Sequence, residues 1–373
     1  MKKALPIIPH ASEFIPHEIA DMIRSYSFEA EKSGCLGNEQ LLLIYEQRWF
    51  NLYVPAQFGG LELSLPEGLK MEEALAWADG SLGWVVTLCS GANWFIGFLD
   101  TDIAKKIFCN EKVCFAGSGK PSGTASITDN GFEITGSWNY ASGASCATIF
   151  TANCIIEKNG VSLKNEDGSP MIKSFLFFRD EVTIDKDSWN TTGMIATASY
   201  SFKITNLVVQ ANRCFTIDSR CAVLPQTIFQ FPFLQFAEAT LAVNSSGMAS
   251  RFIDVCEKLL AAKSGNENSK LGVSHNLMRE LEAAKLCLQA LRESFYSAIQ
   301  LSWDQYTRKS FANSGLLSKV SKSSKNLASG SRALVDKLYP WCGLIAANPN
   351  TEMNLVWRNL HTASQHKLLL ESD

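Results

Sequence analysis

Candidate chemistry in this sequence rests on a serine, two histidines and a glycine-rich turn. In the stretch ITGSWNYASGA, Trp138, Tyr140 and Ser142 alternate with Asn139 and Ala141, so a strand's period of two puts both rings and the hydroxyl on one face before Gly143 ends the regularity. A half-buried strand with aromatic packing accounts for the same pattern. His361 and His366 both fall in WRNLHTASQH. Five residues apart on a helix, two side chains differ by about 140°, so both cannot point at one small site. His366 shares a face with Asn359 and Thr362, and His361 shares one with Arg358 and Gln365. The segment GSGKPSGT has the look of a phosphate loop, but Pro121 follows Lys120 where Ser or Thr is required, and a hairpin follows in place of a helix. Its small residues would instead let a planar ligand approach the backbone closely.

Three kinds of segment must position these residues. Residues 113–215 break into short β-branched runs, and Asp129-Asn130-Gly131 between two of them predicts a hairpin in which Asn-Gly supplies two positive φ angles. Further runs at residues 174–178, 182–185 and 200–209 complete a β domain. Residues 1–112 are patterned as helices, with Pro55 and Gly59-Gly60 breaking one and Pro66 opening the next. Residues 80–99 carry no charge and approach the length of a membrane span. Ser81, Gly83, Ser90, Gly91 and Asn93, with no basic flanks, mark this segment as a buried helix. Residues 216–373 hold helical patterns at 235–263, 277–309, 315–338 and 353–370, which imply a four-helix bundle. The aromatic run IFQFPFLQF opens that bundle and, like Trp94, Phe95 and Phe98, suits a core or a subunit interface. The expected fold class is α+β, in the order helical domain, β domain, four-helix bundle.

Composition bounds the partners. The chain has 373 residues, 46% hydrophobic and 19% charged, with a formal net charge of -3 and no long basic run. That argues against nucleic acid or an anionic membrane and for a small-molecule ligand. Eleven cysteines without a C-x-x-C pair resemble neither a disulfide framework nor a zinc site, so no metal is expected and a reducing, cytoplasmic setting fits. Lys2 and Lys3 precede an apolar run that Pro6, Pro9 and His10 break too early for a signal peptide.

Taken in order, six motifs resemble the acyl-CoA dehydrogenase superfamily over nearly the whole chain: VPAQFGGLELSL, ADGSLGW, FAGSGKPSGTA, ITGSWNYASGA, WNTTGMIATAS and WRNLHTASQH. Within it the chain looks closer to the two-component flavin monooxygenases, whose Gly-x-Trp-x-Phe/Tyr-x-Ser-Gly strand is matched by Gly136, Trp138, Tyr140, Ser142 and Gly143. The resemblance implies reduced FMN or FAD supplied by a separate reductase, a C4a-(hydro)peroxyflavin, a small apolar or aromatic substrate and a homotetramer. It also implies that Ser142 bonds flavin N5 or the peroxide and that His366 faces the same locus. Phe115, Gly117, Ser118 and Tyr140 would border the ring, with Thr197 and Ser199 at its polar edge or phosphate. Asn93 stands where several aromatic hydroxylases of the group carry a substrate-contacting histidine, and with Trp94 it would belong to the substrate pocket. Ser118-Gly119-Lys120 replaces the dehydrogenases' Thr-Glu-Pro, and no carboxylate base is evident. An acyl-CoA dehydrogenase-like enzyme and a non-catalytic binding or assembly protein are the alternatives.

Overall fold

In the computed structural model, residues 8–264, 271–308 and 314–370 are described; Lys2 and Lys3, Lys309 and the tail 371–373 lie outside them. The hairpin forms where Asn130-Gly131 predicts it, joining β1 (Phe115–Thr128) to β2 (Gly131–Ala141) in antiparallel register from Gly123 opposite Gly136 to Thr128 opposite Gly131. Only Gly131 takes a positive φ, +141°, and not Asn130. A Cβ on Gly131 would lie 2.1 Å from the Val209 carbonyl oxygen, so close approach to the neighbouring strand is what requires glycine here.

Six further strands extend this hairpin: β3 (Ile149–Lys158), β4 (Val161–Ser162), β5 (Ile172–Phe178), β6 (Thr183–Asp185), β7 (Tyr200–Val209) and β8 (Cys214–Phe215). The order across the sheet is β6-β7-β2-β1-β3-β5-β8, with β4 paired to β3. The β1–β3 pair is parallel, and its register breaks between Ser118 and Gly123. One face buries Trp138, Phe150, Phe175, Phe177 and Phe202 as a core of its own. There Trp138 stacks on Phe202 at 5.3 Å, and its indole N–H donates to the Asn153 carbonyl at 3.0 Å, which satisfies the one polar atom of a buried ring.

Ahead of the sheet lie α1 (His17–Ser25), α2 (Ser27–Ser33), α3 (Asn38–Glu46), α4 (Leu65–Ala78), α5 (Gly80–Asn93) and α6 (Thr101–Phe108). Helix α4 starts as its sequence predicts, with Pro66 in its first turn and a capping box between Ser64 and Glu67. A single residue, Asp79, separates α4 from α5 and caps the latter by accepting from the Leu82 N–H at 2.7 Å. The apolar segment Gly80–Phe98 is 83% buried within the protein. After the sheet come α7 (Phe233–Ser264), α8 (Leu271–Thr307), α9 (Ser314–Cys342), α10 (Leu344–Ala347) and α11 (Glu352–Ala363). The helices before and after the sheet share one apolar core. The ion pair of Glu73 on α4 with Arg292 on α8, at 2.8 Å, ties them together.

Candidate active site

Helix α5 is the wall from which the site is built. Thr87, Leu88, Gly91, Ala92 and Phe95 repeat at helical spacing and present one face to a cavity of about 230 Å³. The opposite wall is the stretch 116–119 of β1, all small residues, together with Thr151, Ala152 and Asn153 of β3. Gly117 is obligatory there, because a Cβ would meet the Thr151 hydroxyl at 2.2 Å and its carbonyl at 2.3 Å. Residues 119–122 fall between the two stretches of β1–β3 register, so the sheet opens beside the cavity. Phe233, Phe236, Thr240 and Leu241 of α7 close the third side. A more open cleft of about 950 Å³ beside Arg48 and Lys105 touches none of the expected site residues.

Ser142 and His366 both line the 230 Å³ cavity, from segments more than two hundred residues apart. Ser142 lies just beyond the end of β2, in a turn where Gly143 has φ +77° and a Cβ would meet the Cys89 sulfur at 2.5 Å. The Ser142 hydroxyl accepts from the Trp84 indole N–H at 3.1 Å and lies 2.8 Å from the Ser199 hydroxyl. His366 lies past the end of α11 and not within it. Its Nδ1 caps a short following turn by accepting from the Leu368 N–H at 3.3 Å. With Nδ1 used as an acceptor, the neutral ring carries its proton on Nε2. Burial lowers the His366 pKa below the ordinary 6.5, favouring that neutral form. Trp84 meets the same imidazole edge-on, with ring centroids 6.0 Å apart, so one indole braces both polar groups.

Not every residue expected at the site reaches the cavity. Gly117 and Ser118 line it. Phe115 is buried behind the wall, against Phe108 at 5.7 Å. Asn93 is fully buried and lies outside the pocket, since its amide donates to Asn51 at 2.7 Å and to the Val113 carbonyl at 3.3 Å and accepts from the Phe115 N–H at 2.9 Å. Three bonds fix it as a brace between α5 and the start of β1. Trp94 stands one layer behind the cavity, stacked on Phe236 at 5.0 Å with its N–H on the Ile228 carbonyl. Tyr140 is 68% exposed. The period-of-two reading fails at Tyr140 because the β2–β7 register shifts between Trp138 and Ala141, where Tyr140 adopts φ +65° and points away from both Trp138 and Ser142. Thr197 and Ser199 are sealed behind Ser142, bonded to each other at 2.7 Å, and do not reach the cavity.

His361 occupies a different environment from His366. Its Nε2 lies 2.8 Å from Asp336, its Nδ1 lies 2.9 Å from the Trp357 carbonyl oxygen, and its ring packs on Trp357. The two histidines are separated as expected, but by a helix end: α11 stops at Ala363, so no continuous helix relates them.

Comparison with known proteins bears on this arrangement. The indole-3-acetate monooxygenase of Pseudomonas putida is 26% identical over 257 residues, a match spanning 68% of this chain and 64% of that protein. The flavin-dependent monooxygenase oxygenase subunit HsaA of Mycobacterium tuberculosis is 23% identical over 361 residues, 92% of this chain and 88% of that protein. Among solved structures, XiaF from Streptomyces sp. in complex with FADH2 and glycerol superposes with a TM-score of 0.85 at 18% identity, covering 96% of this chain and 91% of that one. The fold is that of the acyl-CoA dehydrogenase-like flavin monooxygenases. No family model matches the chain. The cavity suits the ring of such a flavin: a slot between α5 and a small-residue strand, with neutral polar groups at its rim. No Lys or Arg is among the described residues that line it, so its walls account for a flavin's ring and not for its phosphate. Trp84, which joins the two polar groups, was within reach of sequence reasoning, because it sits three, four and seven residues ahead of Thr87, Leu88 and Gly91 on the same helix.

Proposed function

We propose that the chain is the oxygenase component of a two-component flavin monooxygenase, taking reduced FMN or FAD from a separate reductase and oxygenating a small apolar or aromatic substrate. The observation that carries this reading is the meeting of Ser142 with His366, whose pKa burial lowers, at one largely apolar cavity. A bound reduced flavin would supply the reaction with dioxygen. The residues of the chain do the rest: α5 and α7 exclude water, Ser142 offers a hydrogen-bonding oxygen, and His366 presents an Nε2–H that can be lent and recovered. No carboxylate is among the described residues lining the cavity, which counts against abstraction of an α-proton from an acyl thioester.

The test is to add oxygen to the protein holding chemically reduced FMN, with no substrate, and follow the absorbance of oxidised flavin. The expected result is a return slowed on the order of tenfold or more relative to free flavin. An unslowed return, together with bleaching of bound FAD by an acyl-CoA, supports the dehydrogenase reading instead; failure to bind either flavin supports the non-catalytic one. Self-association as a homotetramer belongs to the same proposal, supported by the exposed Met278, Leu286 and Leu301 on α8 and Leu344 on α10. Sedimentation as a monomer would overturn it. A cytoplasmic setting is proposed from the cysteine pattern alone.

A further inference from the structure

Three thiols gather under the corner where the walls of the cavity meet. Cys89 belongs to α5, Cys114 immediately precedes β1, and Cys146 ends the turn that Ser142 begins. The Cys114 and Cys146 sulfurs are 3.9 Å apart. The Cys146 thiol donates to the Gly143 carbonyl at 3.3 Å, and the Cys89 thiol donates to the Ser142 carbonyl at 3.7 Å. Backbone bonds fix the approach. The Cys114 N–H donates to the Thr148 hydroxyl at 3.1 Å, and the Thr148 N–H donates back to the Cys114 carbonyl at 2.8 Å. The Cys146 N–H donates to the Gly143 carbonyl at 3.0 Å, so one short turn carries Ser142 at its start and Cys146 at its end. None of the three cysteines lines the cavity, and the flavin chemistry proposed above uses none of them.

Access separates these thiols. Cys89 and Cys114 are sealed, at 0% exposure, and Cys146 is half-buried. Burial holds the Cys114 thiol well above its ordinary 9.0, which makes it slow toward an oxidant in solution. Burial, and then the neighbouring Cys114, Cys146 and Cys89, push the Tyr45 phenol above its ordinary 10.0, and Tyr45 lines the open cleft of about 950 Å³. That cleft therefore comes within one side chain of the thiols. Cys256 on α7 and Cys342 on α9 lie nearer each other, at 3.4 Å, but are at most 2% exposed.

We propose that Cys146 and Cys114 form a reversible disulfide under hydrogen peroxide and that this bond weakens flavin binding at the adjoining cavity, a consequence that rests on the flavin function proposed above. The Cys146 sulfur attacks one oxygen of the peroxide and the O–O bond breaks. Hydroxide leaves, takes up the thiol's proton as water, and Cys146 becomes a sulfenic acid. The Cys114 sulfur then attacks the Cys146 sulfur; the S–O bond breaks, and the Cys114 proton leaves with the hydroxyl as a second water. Two thiols have lost two hydrogens, and one peroxide has become two waters. Closure takes the Cys146 sulfur off the Gly143 carbonyl and brings the two sulfurs from 3.9 Å to about 2.0 Å. Thr148 holds Cys114 at both its N–H and its carbonyl, so the turn is the part that yields, and Ser142 moves with it. Flavin that reoxidises without substrate releases peroxide, so the oxidant arises beside the thiols.

Full-length protein is treated with hydrogen peroxide, its remaining thiols are alkylated, and cross-linked peptides are mapped by mass spectrometry. The treated protein is titrated anaerobically with photoreduced FMN before and after dithiothreitol, and the linkage is mapped again after each titration. The expected result is a Cys114–Cys146 linkage with the loss of two hydrogens, and a reduced-FMN affinity about tenfold weaker that dithiothreitol restores. Cys146→Ser should bind reduced FMN as wild type does and be indifferent to peroxide. In Cys114→Ala the sulfenic acid should persist on Cys146 and react with dimedone; Cys146→Ser keeps the test intact if that variant fails to fold. Cys89→Ala should still form the linkage. Absence of the Cys114–Cys146 linkage, or a linkage between Cys256 and Cys342 alone, overturns the proposal. So does a formed linkage with unchanged affinity, or a peroxide-induced fall in affinity that persists in Cys146→Ser. Wild type that binds no flavin before peroxide overturns the flavin reading and the consequence drawn from it, a distinct outcome, while the mapped linkage still decides the disulfide.

Discussion

The Glu73 cluster and the hydroxyls around Ser142 are both sealed from water, but their hydrogen bonds are distributed differently. Glu73 is fully buried and receives the Arg292 guanidinium through two N–H groups at 2.8 and 2.9 Å, the Tyr296 hydroxyl at 2.8 Å and the Ser246 hydroxyl. Arg292 spends further hydrogens on the Pro9 and Ile8 carbonyls. A buried charge is tolerated only when paired and hydrogen-bonded in this way, and nothing is left over for a ligand. The hydroxyls of Ser142, Ser199 and Thr197 carry no charge, and Ser142 lines a cavity. Saturation marks the first cluster as a tie between the two helical segments, whereas the second borders the cavity in which binding is proposed.

The largest expected effect tests the first half of that contrast. Arg292→Met would leave the Glu73 carboxylate buried without its counter-charge and should cost about 3–5 kcal/mol of stability in urea unfolding. A loss below about 1 kcal/mol would mean that the cluster is not the tie argued here. Flavin affinity of the protein that remains folded should not move.

His366→Ala addresses the cavity side. It should shorten the delay before oxidised-flavin absorbance returns, on the order of tenfold, and so abolish most of the slowing expected of wild type, with hydrogen peroxide released correspondingly sooner. Stability should change little, because His366 makes one long bond at 3.3 Å. The same residue sets a pH limb. Burial depresses its folded-state pKa below 6.5, so as pH falls through 6.5 the unfolded chain takes up the proton first, and stability declines in that acid window. Above 6.5 both states hold the neutral ring and the effect vanishes. His366→Asn should remove this limb from a stability-against-pH profile.

Much of the frame was legible locally, and the failures have physical causes. Turn and helix-start signals at Gly131 and Pro66 act over a few residues and found their elements. Tyr140 was misplaced because a bulge is dictated by register with β7, a strand sixty residues away, and not by the alternation of β2 itself. Asn93 was assigned to the pocket by the resemblance alone, and its bracing role could not be read locally because its three partners, Asn51, Val113 and Phe115, come from both sides of it in the chain. Arg292 carried no signal, since its partner lies 219 residues earlier. His366 was expected beside the site from the family resemblance, and a helical wheel set it apart from His361, yet the helix that wheel assumed ends three residues short of it.

Trp84→Phe sharpens the boundary between the two clusters, because the ring is kept against His366 while the donor to Ser142 is lost. The expected cost is about 1 kcal/mol in stability, with the Ser142 oxygen then relieved of one donor. Reduced-flavin affinity should therefore hold or rise slightly in a titration, and a large fall would show that the indole N–H, and not the hydroxyls, organises the site.

The smallest effect is expected from His361→Ala, the control for position. His361 bonds Asp336, whose side chain is 48% exposed, and its ring rests on Trp357. A solvent-screened pair of this kind contributes roughly 0.2–1 kcal/mol, so the melting transition should shift only slightly. Because His361 is fastened to α9 and to its own helix and does not reach the cavity, the oxygen-dependent trace should overlay wild type. If His361→Ala instead accelerated flavin reoxidation as much as His366→Ala, the distinction between polar groups at the cavity and those away from it would fail, since a fully partnered imidazole remote from the cavity would then control the chemistry as strongly as one that lines it.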